Sequence, residues 1–476
     1  MIAFRERPGV HGSDRSNPRR AELNLCVVAV ILTACAGSTM AVGAGVGADR
    51  TTVRSLAVFA ALVLFAHLAV RRWAPMADPV ILPCAVLLNG LGLVLIDRLD
   101  HAASGAEAGS DAGHQLIWTG IGLVLFGLFL AFVRDHARLA RYGYTCGLTG
   151  VVALLIPAVL PARFSEVNGG KSWILLHGFS IQPGEFAKVL LLIFIAAFLV
   201  ANRELFTTAG KRFLAMTFPR LRDLAPLLLV TFVSVLVLVY EKNLGFSLLI
   251  FGTVLAMIYI GTARLSWLII GIIMFAVGAV IAYYLFDHVR VRVQVWQDPF
   301  ATYYTTGYQI SQSLFGMATG RLFGTGIGAG QPQSVPFAKT DFIIATIGEE
   351  LGLVGLTAII AVFLVLTIRG FIAALTTRDA FGKLLGGGLS FSLGWQLFVV
   401  VGGVTKLIPL TGLTTPFMSY GGSSLLANYI IIALLIRISH DSRTAPTPPP
   451  RAPQAIDEAK TVHVRVDRSA RGPNGS

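Results

Sequence analysis

Apolar runs close to 20 residues long recur along almost the whole chain, and they constrain the fold more than any other feature. A helix needs about 20 apolar residues to cross the hydrocarbon core of a bilayer. The runs are rich in Leu, Val, Ile, Phe, Ala and Gly without strand-like alternation, which favours helices over an outer-membrane barrel. With only 13% charged residues, 476 residues could not cover the surface of a soluble protein. The sequence therefore predicts an all-α polytopic integral membrane protein.

Basic residues cluster between alternate apolar runs, and this pattern predicts the topology. The positive-inside rule accounts for the net charge of +13 and places both termini in the cytoplasm. We expect about twelve spans (ten to twelve), near 23–46, 54–70, 78–96, 115–133, 143–160, 184–201, 224–240, 245–262, 265–286, 343–368, 384–403 and 423–437. They form one transmembrane domain, 23–437, between a basic tail, 1–22, and a proline-rich tail, 438–476, that we expect to be disordered.

The longest interior break, 287–342, is predicted to be an ordered outer loop, folded partly as interfacial helices. Its glycine cluster at 324–330 resembles a dinucleotide fingerprint but lacks a surrounding βαβ unit. Gly170-Lys171-Ser172 resembles the end of a phosphate-binding loop, but Ser165 stands where the first glycine would be required. The four cysteines have no metal-ligand spacing. Neither a nucleotide site nor a metal site is assigned.

Asp341 lies where the long outer loop meets an apolar span. As one alternative, it or Thr340 is a helix cap that satisfies free amides. As the other, Asp341 is a general base or an electrostatic stabiliser in a cleft at the membrane edge. Lys339, two residues earlier, could bind an anionic group or lower the pKa of Asp341.

Two further sets of charges are candidate site residues. Glu349 and Glu350 follow Asp341 at a depth where acids are costly, and we favour a structural pairing with a buried base over a cavity lining. Glu185 and Lys188 share a helix face, and we favour an internal ion pair. Six basic residues lie in segments predicted to be outside the cytoplasm, where basic residues are usually rare. As a set they suggest a phosphate-bearing substrate. They are Lys171, Arg290, Arg292, Arg321, Lys339 and Lys406.

The region from Asn168 to Arg437 resembles the SEDS family (shape, elongation, division and sporulation). Four blocks, in the family's order, carry the resemblance. They are Asn168–Ile174 with Phe179–Lys188; Gly307–Ile310 with Gln312-Ser313; Thr340–Ile343 with Ile347–Gly352; and Pro409–Gly412 with Pro416–Ser424. The tails and the extra N-terminal spans are most similar to the RodA-type members of actinobacteria.

This resemblance implies a peptidoglycan glycosyltransferase of the bacterial cell membrane that polymerises lipid II outside the cytoplasm, with inversion and loss of undecaprenyl pyrophosphate. It implies a class B penicillin-binding transpeptidase as partner, and Asp341 matches the family's essential aspartate. Lys339, Lys171, Arg290 and Arg292 would contact the substrate phosphates. Gln182, Glu185 and Lys188 would bind substrate or line the cavity. Cavity or structural positions would be Glu349, Glu350, Lys406, Ser419 and Tyr420.

Four departures from the family pattern are visible. Lys339 stands where members often have His, Asn243 where they often have Asp, and Ser172 where many have Arg. Thr411 stands where division-type members often have Lys, which favours a role in cell elongation over one in division. The alternative functions are a lipid II flippase, which would depend on the mid-membrane charges, and a non-catalytic scaffold for the transpeptidase. A divalent cation beside the pyrophosphate is an open alternative. No metal ligands are assigned to it, because one carboxylate at the edge of the loop is not a recognisable metal site.

Overall fold

The apolar runs form long helices in the computed structural model. It describes residues 18–45, 50–102, 110–167, 169–176, 179–202, 211–213, 216–218 and 221–444. In chain order the helices are α1 (Pro18–Gly43), α2 (Arg50–Trp73), α3 (Ile81–Ala102), α4 (Asp111–Phe132), α5 (Gly143–Val159), α6 (Ala162–Ser165), α7 (Pro183–Ala201), α8 (Leu221–Tyr240), α9 (Leu244–Thr262), α10 (Leu265–Leu285), α11 (Asp287–Gln297), α12 (Tyr308–Gly320), α13 (Ile343–Glu350), α14 (Gly352–Thr376), α15 (Ala380–Val404) and α16 (Gly422–Thr444). Short 3-10 helices occupy His136–Tyr142 and Pro332–Ser334.

The structure confirms the all-α polytopic architecture. Within the described residues, 11 helices are long and apolar enough to cross a membrane. The helix α8 adds a shorter apolar stretch, Leu228–Val237, at a predicted span. Both terminal helices extend into the predicted tails, since α1 begins at Pro18 and α16 continues to Thr444. Most of both predicted tails, 1–17 and 445–476, lies outside the described residues.

The predicted span 343–368 was wrong, because the chain forms two helices there. Gly352 has a φ of +67°, which ends α13 and starts α14 in a new direction. A side chain at Gly352 would strike the backbone of Leu322 and Gly324, so the outer loop approaches this break closely. Hydropathy continues across the break, and the turn is possible because glycine enters the left-handed region without steric cost.

The segment 287–342, which was predicted to be a long outer loop, is helical in part, with α11 and α12 inside it. Two small antiparallel hairpins were not predicted. In one, β1 (Ile174–Leu176) pairs with β2 (Phe179–Ile181), placing Leu175 opposite Ser180. In the other, β3 (Lys211–Phe213) pairs with β4 (Met216–Phe218), placing Arg212 opposite Thr217.

The helices α7, α15 and α16 contribute most to the buried core. Beside them, α1 packs along α3, and a side chain at Gly90 would strike Thr33. The C-terminal end of α1 meets the glycine cluster at 324–330, where Gly43 abuts Ile327 and Gly328. At the other end, Arg19 contacts Glu22 and the Ala77 carbonyl. The hairpin of α1 and α2 is therefore attached to the bundle at both ends.

Polar contacts join the ends of several helices. Asp78 pairs with Arg369 at 2.6 Å and with Arg443 at 2.8 Å. His136 lies between two carboxylates, with 2.9 Å from Nε2 to Asp379 and 2.6 Å from Nδ1 to Asp441. These contacts join the start of α3 and the loop after α4 to α14, α15 and α16.

Candidate active site

Asp341 lies in a tight turn directly before α13. The turn begins at Phe337, whose φ is +59° and whose carbonyl accepts the amides of Thr340 (3.0 Å) and Phe342 (3.2 Å). Phe342 occupies the N-cap position of α13, and no side-chain capping bond is made there. The structure therefore does not support the capping interpretation of Asp341, which leaves its half-buried carboxylate available for chemistry.

Arg292 is the cation next to Asp341. Its Nη1 donates to the Leu410 carbonyl at 2.8 Å, which fixes the guanidinium against the loop that follows α15. A methyl group added at Gly412 would lie 3.6 Å from Asp341 Oδ2 and 3.9 Å from Arg292 Nη1 and Nη2. The carboxylate and guanidinium are thus within about 8 Å of each other, one Debye length at physiological salt.

Opposing effects set the pKa of Asp341. Burial raises it to about 6, while Arg292 and the Thr340 hydroxyl lower it. Burial also lowers the pKa of Arg292, and the charge of Asp341 acts in the opposite direction. A carboxyl group with a pKa near 6 is largely ionised at neutral pH and is a stronger base than an ordinary aspartate. The arrangement suits removal of a proton next to a developing anion.

Lys339 does not have the surroundings that we predicted. Its Nζ donates to Asp100 at 2.6 Å and to Asp111 at 2.8 Å, at the end of α3 and the start of α4. Burial alone would lower the pKa of Lys339, but the two carboxylates raise it overall. The predicted free phosphate ligand is therefore an ion-paired residue, and Arg292 is the cation that lowers the pKa of Asp341.

The loop before α16 braces the segment that carries Asp341. Ser419 Oγ donates to the Thr340 carbonyl at 2.6 Å, and the Thr415 amide donates to Ser419 Oγ at 2.8 Å. The Tyr420 amide donates to the Lys339 carbonyl at 2.8 Å. The structure thus gives Ser419 and Tyr420 the bracing contacts that we expected of them.

The pair of Glu185 and Lys188 is internal, as favoured. Lys188 Nζ donates to Glu185 Oε2 at 2.9 Å and to Gln396 Oε1 at 3.0 Å, and both charged side chains are almost fully buried. Gln396 was not predicted. At the start of the same helix, the backbone amide of Gln182 donates to Ser423 Oγ at 2.9 Å. These contacts hold α7 against α15 and α16.

Glu350 has the buried base that we expected, because Arg98 Nε donates to its Oε1 at 3.0 Å. Arg98 also donates to the Gly330 carbonyl at 2.8 Å, so α3, α13 and the glycine cluster meet at one guanidinium. Glu349 accepts the backbone amide of Gln331 at 2.6 Å. The two acids are structural contacts of the outer loop.

The other predicted cations have separate surroundings. Arg290 is exposed and pairs with Asp287 at 3.4 Å. It does not lie beside Arg292, because residues two apart on a helix do not share a face. Lys406 has a φ of +61°, and its carbonyl accepts Trp296 Nε1 at 3.1 Å. Arg321 ends α12, and its carbonyl accepts the Leu353 amide at 3.0 Å. Lys171 is half-buried in the loop before β1.

Sequence reasoning missed a buried acid, Glu241, at the end of α8. Its side chain is 2% exposed, Oε1 has no hydrogen-bond partner among the described residues, and burial raises its pKa to about 8. Asn243, where the family often has Asp, caps α9 by accepting the Phe246 amide at 3.3 Å. A side chain at Gly245 would strike Thr411, so this turn packs on the loop next to Asp341.

Among the described residues, Asp135, His136 and Asp441 have donor atoms close enough to share a metal ion. Both ring nitrogens of His136 already contact carboxylates, one from Asp379 and one from Asp441. A histidine held between two acids is an ion-paired group, so we assign no metal to this cluster.

The chain is 55% identical to the peptidoglycan glycosyltransferase RodA of Mycobacterium tuberculosis over 93% of this chain and 95% of the relative. It is 57% identical to RodA of Mycobacterium leprae over 81% of this chain and 83% of the relative. A solved structure of a peptidoglycan synthase complex, which concerns the coordination of polymerization and crosslinking, matches with a TM-score of 0.63 and 26% identity, covering 78% of this chain and 99% of that one. Residues 78–444 match the model for cell cycle proteins of the FtsW, RodA and SpoVE type, and the chain belongs to that family.

Proposed function

We propose that the protein is a peptidoglycan glycosyltransferase that polymerises lipid II into glycan strands, with Asp341 as the general base. The names of its relatives support the activity. One observation carries the assignment of the base: a half-buried carboxyl group with a pKa of about 6 lies within about 8 Å of the guanidinium of Arg292.

In the proposed reaction the acceptor hydroxyl gives its proton to the Asp341 carboxylate while its oxygen attacks the anomeric carbon of the donor sugar. The bond from that carbon to the pyrophosphate oxygen breaks, and undecaprenyl pyrophosphate leaves with its electron pair. Attack from the opposite face inverts the anomeric configuration. Arg292 stabilises the departing negative charge, and Lys171 is a second candidate contact for the phosphates.

The proposed site faces outward from the bacterial plasma membrane, with both chain termini in the cytoplasm. The charge pattern between the helices supports this orientation. The matched peptidoglycan synthase complex, in which polymerization and crosslinking are coordinated, supports a class B penicillin-binding protein as partner. Such a transpeptidase would join the strands that this chain polymerises.

The test is polymerisation of purified lipid II by the full chain, alone and with its co-purified transpeptidase. We expect long glycan strands from the wild type and from Asp287→Asn, which alters an exposed aspartate of the same outer loop. We expect none from Asp341→Asn, because an amide cannot accept the proton. All three proteins are first shown to have matching thermal stability.

Equal product from Asp341→Asn and the wild type would remove Asp341 from the chemistry. Absence of product from a folded wild type with its transpeptidase bound would refute the polymerase and favour the transporter or scaffold. The inactive variant, prepared in the same way, also controls for contaminating polymerases.

A further inference from the structure

We propose that Lys339 is a positioning residue, clamped by Asp100 and Asp111 so that it fixes the backbone that carries Asp341. This inference rests on the proposed function, in which Asp341 removes the proton. Lys339 then affects the rate of the chemical step and does not bind the substrate phosphates. The clamp is defined as the side chains of Lys339, Asp100 and Asp111.

The clamp joins three separate parts of the chain at one ammonium group. Asp100 is in the last turn of α3 and Asp111 is the first residue of α4, and Lys339 Nζ is within 2.8 Å of both. A hydrogen bond also fixes the Asp100 carboxylate, because its Oδ2 accepts the Ala112 amide at 2.8 Å. The ends of two core helices therefore grip a side chain only two residues before Asp341.

The same short segment is held through its backbone. The Lys339 carbonyl accepts the Tyr420 amide at 2.8 Å, and the Thr340 carbonyl accepts Ser419 Oγ at 2.6 Å. Side-chain and backbone contacts thus approach from opposite elements, α3 and α4 on one side and the loop before α16 on the other. Beyond Asp341 the chain enters α13, which is buried along its whole length. With both flanks fixed, the carboxylate has little freedom to move away from a substrate hydroxyl.

The charges of the clamp make Lys339 a poor ligand for pyrophosphate. One ammonium faces two carboxylates, so the cluster carries a net negative charge. The side chain of Asp100 is 8% exposed, that of Lys339 22% and that of Asp111 31%, so the pairing is partly shielded from water. A phosphate approaching Nζ would have to displace both acids or lie beside them, and either costs free energy.

Removing the Lys339 ammonium would leave two carboxylates close together without a cation between them, which does not happen when an isolated surface charge is removed. In Lys339→Met, Asp100 and Asp111 repel each other without a cation between them, and the grip on the segment is lost. In Lys339→Glu, three acids converge and the repulsion is larger. Adding Asp111→Lys to Lys339→Glu restores one ammonium and two carboxylates with the positions of two groups exchanged. Recovery in that double variant would show that the ion pairing, and not the lysine itself, is required.

The experiment measures kcat and KM for lipid II with the full chain and its transpeptidase. We expect Lys339→Met to lower kcat about tenfold and to change KM less than twofold, since a misplaced base slows the chemical step but does not weaken binding. We expect Lys339→Glu to lower kcat further, and the exchange with Asp111→Lys to recover at least about fivefold of that loss. The acid limb of the pH profile should stay near pH 6 in every variant that retains activity, because Arg292 is unchanged.

Asp111→Asn keeps Lys339 paired with Asp100, so it tests the clamp if Lys339→Met fails to fold, with an expected fall in kcat of about threefold. A raised KM with unchanged kcat in Lys339→Met would overturn the clamp in favour of phosphate binding. Absence of recovery in a folded exchange variant would overturn it as well. A wild type that shows no Asp341-dependent polymerisation refutes the proposed function instead, and the two failures are therefore distinguishable.

Discussion

Replacing Arg292 with glutamine tests the charge balance at Asp341 most directly. The two groups are within about 8 Å of each other, and Coulomb's law gives about 2 to 3 kcal/mol for unit charges 6 to 8 Å apart at an effective dielectric constant of about 20. Both side chains are partly exposed, and solvent reduces this attraction. We therefore expect Arg292→Gln to raise the pKa of Asp341 by about one unit, or about 1.4 kcal/mol.

The direction in which activity changes with pH follows from the requirement that the Asp341 carboxylate be ionised to accept a proton. In the wild type, activity should fall as the pH drops through about 6, where the Asp341 carboxylate becomes protonated. In Arg292→Gln the acid limb should move to about pH 7. At pH 6 the ionised fraction would fall from about one half to about one tenth, so activity relative to each protein's own plateau should drop about fivefold.

The assay is the pH dependence of kcat/KM for lipid II polymerisation between pH 5 and 9, each profile normalised to its alkaline plateau. Arg290→Gln is the matched control, because it removes an exposed arginine of the same helix that pairs with Asp287. Normalisation separates the pKa effect from any loss of phosphate contact, which lowers the plateau. An acid limb that stays at the same pH in Arg292→Gln, or that moves equally in Arg290→Gln, would refute the electrostatic reasoning.

Three further predictions concern strain and burial. Gly412→Ala, at φ +69°, should lower kcat about tenfold because its backbone is strained and its methyl group would contact both the Asp341 carboxylate and the Arg292 guanidinium; Gly45→Ala, at the same φ but in open space, should cost only about 1 kcal/mol of stability. Glu241→Gln should raise the melting temperature at pH 9 but not at pH 5, because burial raises this pKa from 4.5 to about 8 and the wild type loses stability as the pH rises between those values. Arg98→Met should cost about 3 to 5 kcal/mol in thermal or denaturant unfolding, since it leaves the charge of Glu350 buried without its basic partner; adding Glu350→Gln should recover part of that loss.

Most of the architecture could be predicted from the sequence, because the bilayer imposes one length and one polarity on every span. The break at Gly352 could not, since the residues on both sides are as apolar as an uninterrupted helix requires. Its cause is a close approach of the outer loop backbone to Gly352, and that contact joins residues about 30 positions apart. The hairpin of β1 and β2 escaped prediction because three-residue strands are too short to show a period.

The residues of the candidate site were also predicted only in part. Asp341 was predicted as the base because it combines a family motif with a position at the edge of a span. The ion pair of Glu185 and Lys188 was predicted, and is confirmed, because three-residue spacing places both on one helix face. The partners of Lys339 were not identified, since Asp100 and Asp111 are more than 200 positions away in the chain. The sequence shows which residues carry charge, but the pairing of distant charges depends on how the helices pack.

The attachment of α1 and α2 has a practical consequence for producing the protein. The family match starts at residue 78, so a chain trimmed to that boundary would lack both helices. Trimming would uncover the side of α3 around Gly90 and remove the contact between Gly43 and Ile327 that supports the outer loop. It would also delete Arg19, which contacts the carbonyl of Ala77 next to the start of the match. Purification and crystallisation should therefore use a chain that begins before Pro18, even though the match to the family does not require it.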